Sequence, residues 1–137
     1  MNSIDLLFRS SRFNLSEVGE HFINPCCFGE DLAAWLAEKL AERGIQADAP
    51  GQEDWGWYVG LSHHGVRYLL GISGNADESS TDRNAGRWRI IVDKSRSLGE
   101  RLRGAGRITQ DDPLLGLLEE ILSRQADFAD LYREPAR

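Results

Sequence analysis

The chain predicts an α+β fold, a two-layer sandwich in which a mainly antiparallel sheet of about four or five strands carries helices packed on one face. Apolar residues recur at every second position in Trp57, Val59 and Leu61, in Val66, Tyr68, Leu70 and Ile72, and in Trp88, Ile90 and Val92, the period of strands with one buried face. They recur at three and four in Phe28, Leu32, Trp35, Leu36 and Leu40, and again in Leu114, Leu117, Leu118 and Ile121, the stripe of an amphipathic helix. The strands stand together in mid-chain with a helix on either side, instead of alternating with helices as βαβ units do.

Element by element, Ile4, Leu6 and Phe8 alternate, then Phe13 and Leu15, which favours one or two short strands at the start. Asn24-Pro25 interrupts regular structure, and Asn24 is placed to cap the helix expected from about Phe28 to Arg43. Gly44 supplies the left-handed stop, and Ile45 folds back as the accompanying apolar contact. Ile45 and Ala47 form a short strand before the turn-rich Asp48-Ala49-Pro50-Gly51-Gln52. The strands carrying Trp57 and Val66 form a hairpin around His63-His64-Gly65, and the Trp88 strand adds to it as a meander after a polar loop from Gly74 to Gly86. Ser97 and Glu100 have capping-box spacing ahead of a short basic helix. Asp112-Pro113 opens a longer helix ending near Leu131, followed by a frayed tail.

At 137 residues the chain, residues 1–137, makes a single domain with one core. It has no run of about 18 uncharged apolar residues, which excludes a membrane-spanning helix. Met1-Asn2-Ser3-Ile4-Asp5 shows no secretory pattern, so the expected location is cytoplasmic. Its two cysteines are adjacent, Cys26 and Cys27, which offers neither a disulfide framework nor four-ligand zinc spacing. No metal and no cofactor is expected. The net charge of −6 argues against nucleic acid as a bulk partner. Charge is nonetheless uneven: ten acidic residues face four basic ones from Met1 to Trp55, whereas eight of the sixteen Lys and Arg lie between Arg83 and Arg107 against Asp93 and Glu100.

Four constellations have chemical content, each beside a plainer reading. Cys26-Cys27 at a helix start is a candidate thiolate, since aligned N–H dipoles lower a thiol pKa, while a small apolar residue beside Phe28 is the ordinary alternative. His63-His64 is a candidate proton-transfer or metal pair, with His21 as a third ligand, although neighbours at a tight turn usually diverge. Glu53 with Asp54 beside Trp55 is a candidate general acid, and Trp55 and Trp57 otherwise read as packing residues, one of them available for recognition. The arginine-rich region from Arg83 to Arg107 offers forks for carboxylate or phosphate, or simply a solvated face that balances the acidic first helix. Gly104-Ala105-Gly106 lacks the lysine of a phosphate loop.

The face of the sheet turned away from the helices, lined by Tyr58, Arg67, Leu69, Arg89 and Ile91, is the expected working surface, with Tyr58, Arg67, Trp88 and Arg89 as its candidate contacts. Asn24-Pro25-Cys26-Cys27-Phe28-Gly29 followed by Glu53-Asp54-Trp55-Gly56-Trp57 resembles a group of small bacterial proteins with that N-P-C-C-F-G helix start and E-D-W-G-W strand entrance. Some similar small domains look like immunity proteins that neutralise toxins by binding. The resemblance covers about the central two thirds of the chain and implies a bacterial cytosolic setting and a binding role, and it carries over no catalytic residue. The expectation is therefore a protein-binding module whose partner is a toxin or another protein, a second copy of the chain included. A thiol or acid-base enzyme using Cys26 or Cys27 with a histidine or Glu53 is the alternative, and anion or nucleic-acid binding through Arg83 to Arg107 the third.

Overall fold

A computed structural model describes residues 2–15, 19–22, 28–76 and 85–135. In chain order the elements are β1 (Ser3–Ser10), α1 (Glu30–Glu42), β2 (Gly51–Glu53), β3 (Gly56–His63), β4 (Val66–Ala76), β5 (Gly86–Lys94), α2 (Leu98–Arg103), α3 (Pro113–Ser123) and β6 (Ala129–Pro135). The fold is α+β, with an open sheet of six strands among the described residues, every neighbouring pair antiparallel, in the order β2-β3-β4-β5-β1-β6. Six strands exceed the four or five expected, because β2 and β6 add an edge on each side.

Alternation set the central strands. His63 pairs with Val66, and the two-residue loop between them, His64-Gly65, has positive φ at both positions, 51° and 75°. That is the turn whose twist matches a hairpin. The ladder then carries the pattern across the sheet: Val59 opposes Leu70, Leu70 opposes Val92, and Val92 opposes Ile4. Leu61, Ile72, Ile90, Leu6, Phe8 and Trp88 share that face and are all buried. One cluster unites them with Leu32, Leu36 and Leu40 of α1 and with Leu114, Leu118 and Ile121 of α3.

Helix α1 begins at Glu30, two residues later than the spacing predicts, with Gly29 at the N-cap position. A Cβ on Gly29 would lie 2.9 Å from the Ile72 side chain, so the helix start packs tightly on β4. The expected cap, Asn24, lies outside the described residues. At the other end Gly44 has φ 77°, its N–H donates to the Ala41 carbonyl, and the Ile45 N–H donates to Leu40 while its side chain is buried, as the sequence predicts.

Four sequence expectations are corrected. Phe13 and Leu15 form no strand; Phe13 instead packs edge-on against Trp35 and Trp88. The segment at Ile45 and Ala47 contributes only an isolated bridge, Ala47 to Leu61. Residues 74–76 continue β4, paired with β5 through Ala76 and Gly86, so the expected loop is shorter. Its interior, 77–84, lies outside the described residues. Finally, α3 stops at Ser123, and the expected frayed tail is β6, paired with β1. Phe128 between them stacks on Phe8 with centroids 4.6 Å apart, which turns the chain back onto the sheet.

Candidate functional site

The sheet face opposite the common core carries Tyr58, Arg67, Leu69, Arg89 and Ile91, as the alternation predicts, together with Gly60, Gly71, Asp5 and Leu7. Three glycines on this side of the sheet are covered by large side chains. The Tyr58 ring lies across Gly51, the Arg67 guanidinium across Gly60, and the Trp55 indole across Gly71, where a Cβ would stand 3.0 Å from the ring and 3.5 Å from Ile91 Cβ. Absence of a Cβ lets each planar group approach the sheet backbone closely, which restricts its freedom before any partner arrives. Trp55 remains 46% exposed, Leu69 37% and Tyr132 on β6 52%. These are large exposed apolar groups on a face that the buried residues of α1 and α3 do not reach.

Several charges on this face are paired within the chain. Arg89 contacts Asp5 and stands 3.7 Å from Glu134, Arg67 contacts Asp48, and Arg9 lies 3.3 Å from Asp130. Asp5 is buried, and its second carboxylate oxygen has no hydrogen-bond partner, nor does the buried hydroxyl of Ser3 two residues away. Ser3 opposes Asp93 on β5, and burial pushes the Asp93 carboxyl up while Arg101 opposes that shift. Near the β6 edge a small cleft of about 200 Å³ opens between Leu7, Arg9, Arg87, Asp130 and Tyr132.

Three of the four sequence-predicted contacts, Tyr58, Arg67 and Arg89, stand on this face. Trp88 does not: it is 1% exposed and shares the opposite face with Ile90 and Val92, and its parity with those two was the available signal. Tyr132 was missed as a member of the surface, and Trp55 was expected only as one of two tryptophans of which one is available for recognition. Trp55 reaches it only because Gly56 turns the chain, and Tyr132 only because β6 pairs with β1.

Among the described residues, the candidate catalytic groups Glu53 and His63 do not converge. Glu53 lies at the β2 end beside Gly56, whereas His63 closes the opposite end of the eight-residue strand β3. His63 and His64 rings pack together at 4.0 Å, and burial, then the neighbouring His64, push the His63 pKa down. His21 is elsewhere, in contact with Glu30 and edge-on to Trp57. Among the described residues no group of three His, Cys, Asp or Glu side chains is arranged to hold a metal ion. Cys26, Cys27 and Arg83 lie outside the described residues. No described helix is long and apolar enough to cross a membrane.

Compared with known protein families, with curated proteins and with solved structures, the chain matches none.

Proposed function

We propose that the chain is a protein-binding module that docks a partner on the exposed sheet face. The reading takes α1 and α3 as one layer of a two-layer sandwich, which leaves the other side of the sheet for recognition. The observation that carries it is the set of planar groups, Tyr58, Arg67 and Trp55, packed against Gly51, Gly60 and Gly71. Trp, Tyr and Arg dominate binding hot spots, and rings already held against the backbone lose little entropy when covered. The paired charges around them, Arg89 with Asp5 and Arg67 with Asp48, favour a partner of mixed polarity over one recognised by net charge.

An immunity-type role, with a toxin as the occluded partner, is the specific form of this reading that the D-W-G-W resemblance supplies. An acid-base pair of Glu53 with His63 is less well supported, since the two stand at opposite ends of β3.

The test is affinity capture from the source cells with three baits: the wild-type chain, Trp55→Ala/Tyr132→Ala, and a control altered at exposed Glu38 on α1. A partner retained by the wild type and the control but lost from the double variant supports the proposal. Equal retention by all three baits, or retention of nothing, refutes it. Self-association abolished by the same double variant would identify the partner as a second copy.

A further inference from the structure

We propose that a groove between the end of β5 and the segment from α2 to Arg107 binds a small, non-aromatic polyanion bearing clustered phosphates. The groove encloses roughly 680 Å³ and, among the described residues, is lined by four cations, Lys94, Arg96, Arg101 and Arg107, against one carboxylate, Asp93, together with Asn2 and Ser95. That volume falls within the range of small-ligand sites.

The cations are not equivalent. Lys94 lies 3.6 Å from Asp112, so its charge is largely balanced inside the protein. Arg96 donates to the Ala105 carbonyl at 3.2 Å, a neutral acceptor that leaves its charge unspent. Arg101 and Arg107 are exposed and, among the described residues, neither forms an ion pair. Three arginines facing one half-buried carboxylate leave the groove with excess positive charge in a chain whose net charge is −6. Guanidinium forks in this setting match phosphate oxygens.

The walls are fixed in advance. The Asn2 amide donates to the carbonyls of Lys94, at 2.9 Å, and Gly106, at 3.1 Å, and accepts from the Ile108 N–H at 3.0 Å. One side chain therefore clamps both sides of the groove, and the Ser97–Glu100 capping box holds the start of α2. These ties matter because α2 buries none of its own residues.

The ligand class follows from what is missing in the lining. Recognition of single-stranded nucleic acid relies on aromatic platforms on which bases stack, and among the described residues every member of this wall is polar and non-aromatic. A compact anion such as an inorganic polyphosphate or a phosphorylated sugar fits, and an oligonucleotide does not.

Isothermal titration of the full chain with inorganic tripolyphosphate at low ionic strength tests this. Arg101→Ala and Arg107→Ala should each weaken binding about tenfold or more, the loss expected for a charged hydrogen bond, with unchanged unfolding midpoints. Asp93→Asn should tighten binding several-fold, a direction that general damage would not produce. Failure to bind tripolyphosphate, or affinity indifferent to all three substitutions, overturns the proposal. So does tighter binding of a single-stranded oligonucleotide that the same arginines control.

Discussion

The Tyr68 hydroxyl donates to both carboxylate oxygens of Asp112, at 3.1 and 3.0 Å, in the interior where β4 meets the start of α3. The same carboxylate caps the helix by accepting from the Leu114 N–H at 2.9 Å, and it faces the Lys94 ammonium at the end of β5. A single buried acid thus joins two strands to a helix terminus. Asp112→Ala should cost about 2–4 kcal/mol, since it removes the cap and strands a buried hydroxyl and an ammonium. Tyr68→Phe should cost only about 1 kcal/mol. Urea denaturation of both single variants and the double would measure the coupling, and additive losses would show that the two residues do not act as a unit.

Burial, together with the hydrogen bond to Asp112, holds the Tyr68 hydroxyl protonated well above the ordinary phenol value of 10.0. In the unfolded chain the phenol releases its proton from about pH 10, whereas the folded chain retains it. The folded state then binds more protons, so this contribution to stability is complete below pH 10 and declines as pH rises beyond it. Unfolding free energies measured from pH 8 to 11.5 should fall more steeply for the wild type than for Tyr68→Phe. Parallel curves would contradict the assignment.

Gly56 has φ 156°, and a Cβ there would lie 2.4 Å from the Ile72 carbonyl oxygen. That oxygen belongs to the β4 backbone and cannot swing aside as a flexible side chain would. Gly56→Ala should therefore destabilise by about 2 kcal/mol or more, and it should lift Trp55 off Gly71. Thermal unfolding and the accessibility of tryptophan to a soluble quencher report the two effects. A variant with native stability and quenching would remove Gly56 as the hinge of the binding face.

Those cases mark where sequence reading ends. Val59, Leu70 and Val92 could be assigned to one side of the sheet because period-two alternation is local and the ladder preserves it, whereas the place of Ile4 beside Val92 depends on a long-range pairing. The same parity put Tyr58, Arg67 and Arg89 on the other side. Strand β6 was invisible because Arg133, a charge, points toward α3, where Glu119 neutralises it in a forked contact. Strand β2, Gly51–Glu53, has no apolar residue and exists only as an edge along β3. The groove below β5 depends on Asn2 reaching residues about a hundred positions away, a closure that no local pattern encodes.

Arg89 contacts Asp5, whose side chain is only 9% exposed, while Arg89 itself is 37% exposed. Truncating Arg89 would leave a buried carboxylate without its counter-charge, at an expected cost of about 2 kcal/mol, reduced from the fully buried case by the solvent that reaches Arg89. Asp5→Leu/Arg89→Leu should recover most of that loss, because an apolar pair requires no desolvation of charge. Chemical denaturation of the single and double variants checks this, and a double variant no better than Arg89→Leu alone would refute it. The consequence for binding studies is that Arg67, more exposed and paired only at the surface with Asp48, reports recognition more cleanly than Arg89.

Strand β6 covers one edge of β1 through pairs from Ile4 with Pro135 to Arg9 with Ala129. The segment leading into it brings Phe128 against Phe8 and Trp35, with the Arg12 guanidinium 4.6 Å above the Phe128 ring. A chain ending at Asp127 loses this aromatic anchor, worth about 3–5 kcal/mol by analogy with core phenylalanine truncations. It also exposes the backbone edge of a strand carrying Ile4, Leu6 and Phe8, a template for association between chains. Arg133→Met keeps the strand and removes the partly exposed contacts of the guanidinium to Glu119 and Gln110, so it should cost only about 1–2 kcal/mol. Light scattering after size-exclusion chromatography should find the truncated chain associated and Arg133→Met unchanged from the wild type. Hydrogen exchange should show lost protection along β1 in the first variant alone, and a truncated chain with native mass and native β1 protection would exclude β6 as a structural strand.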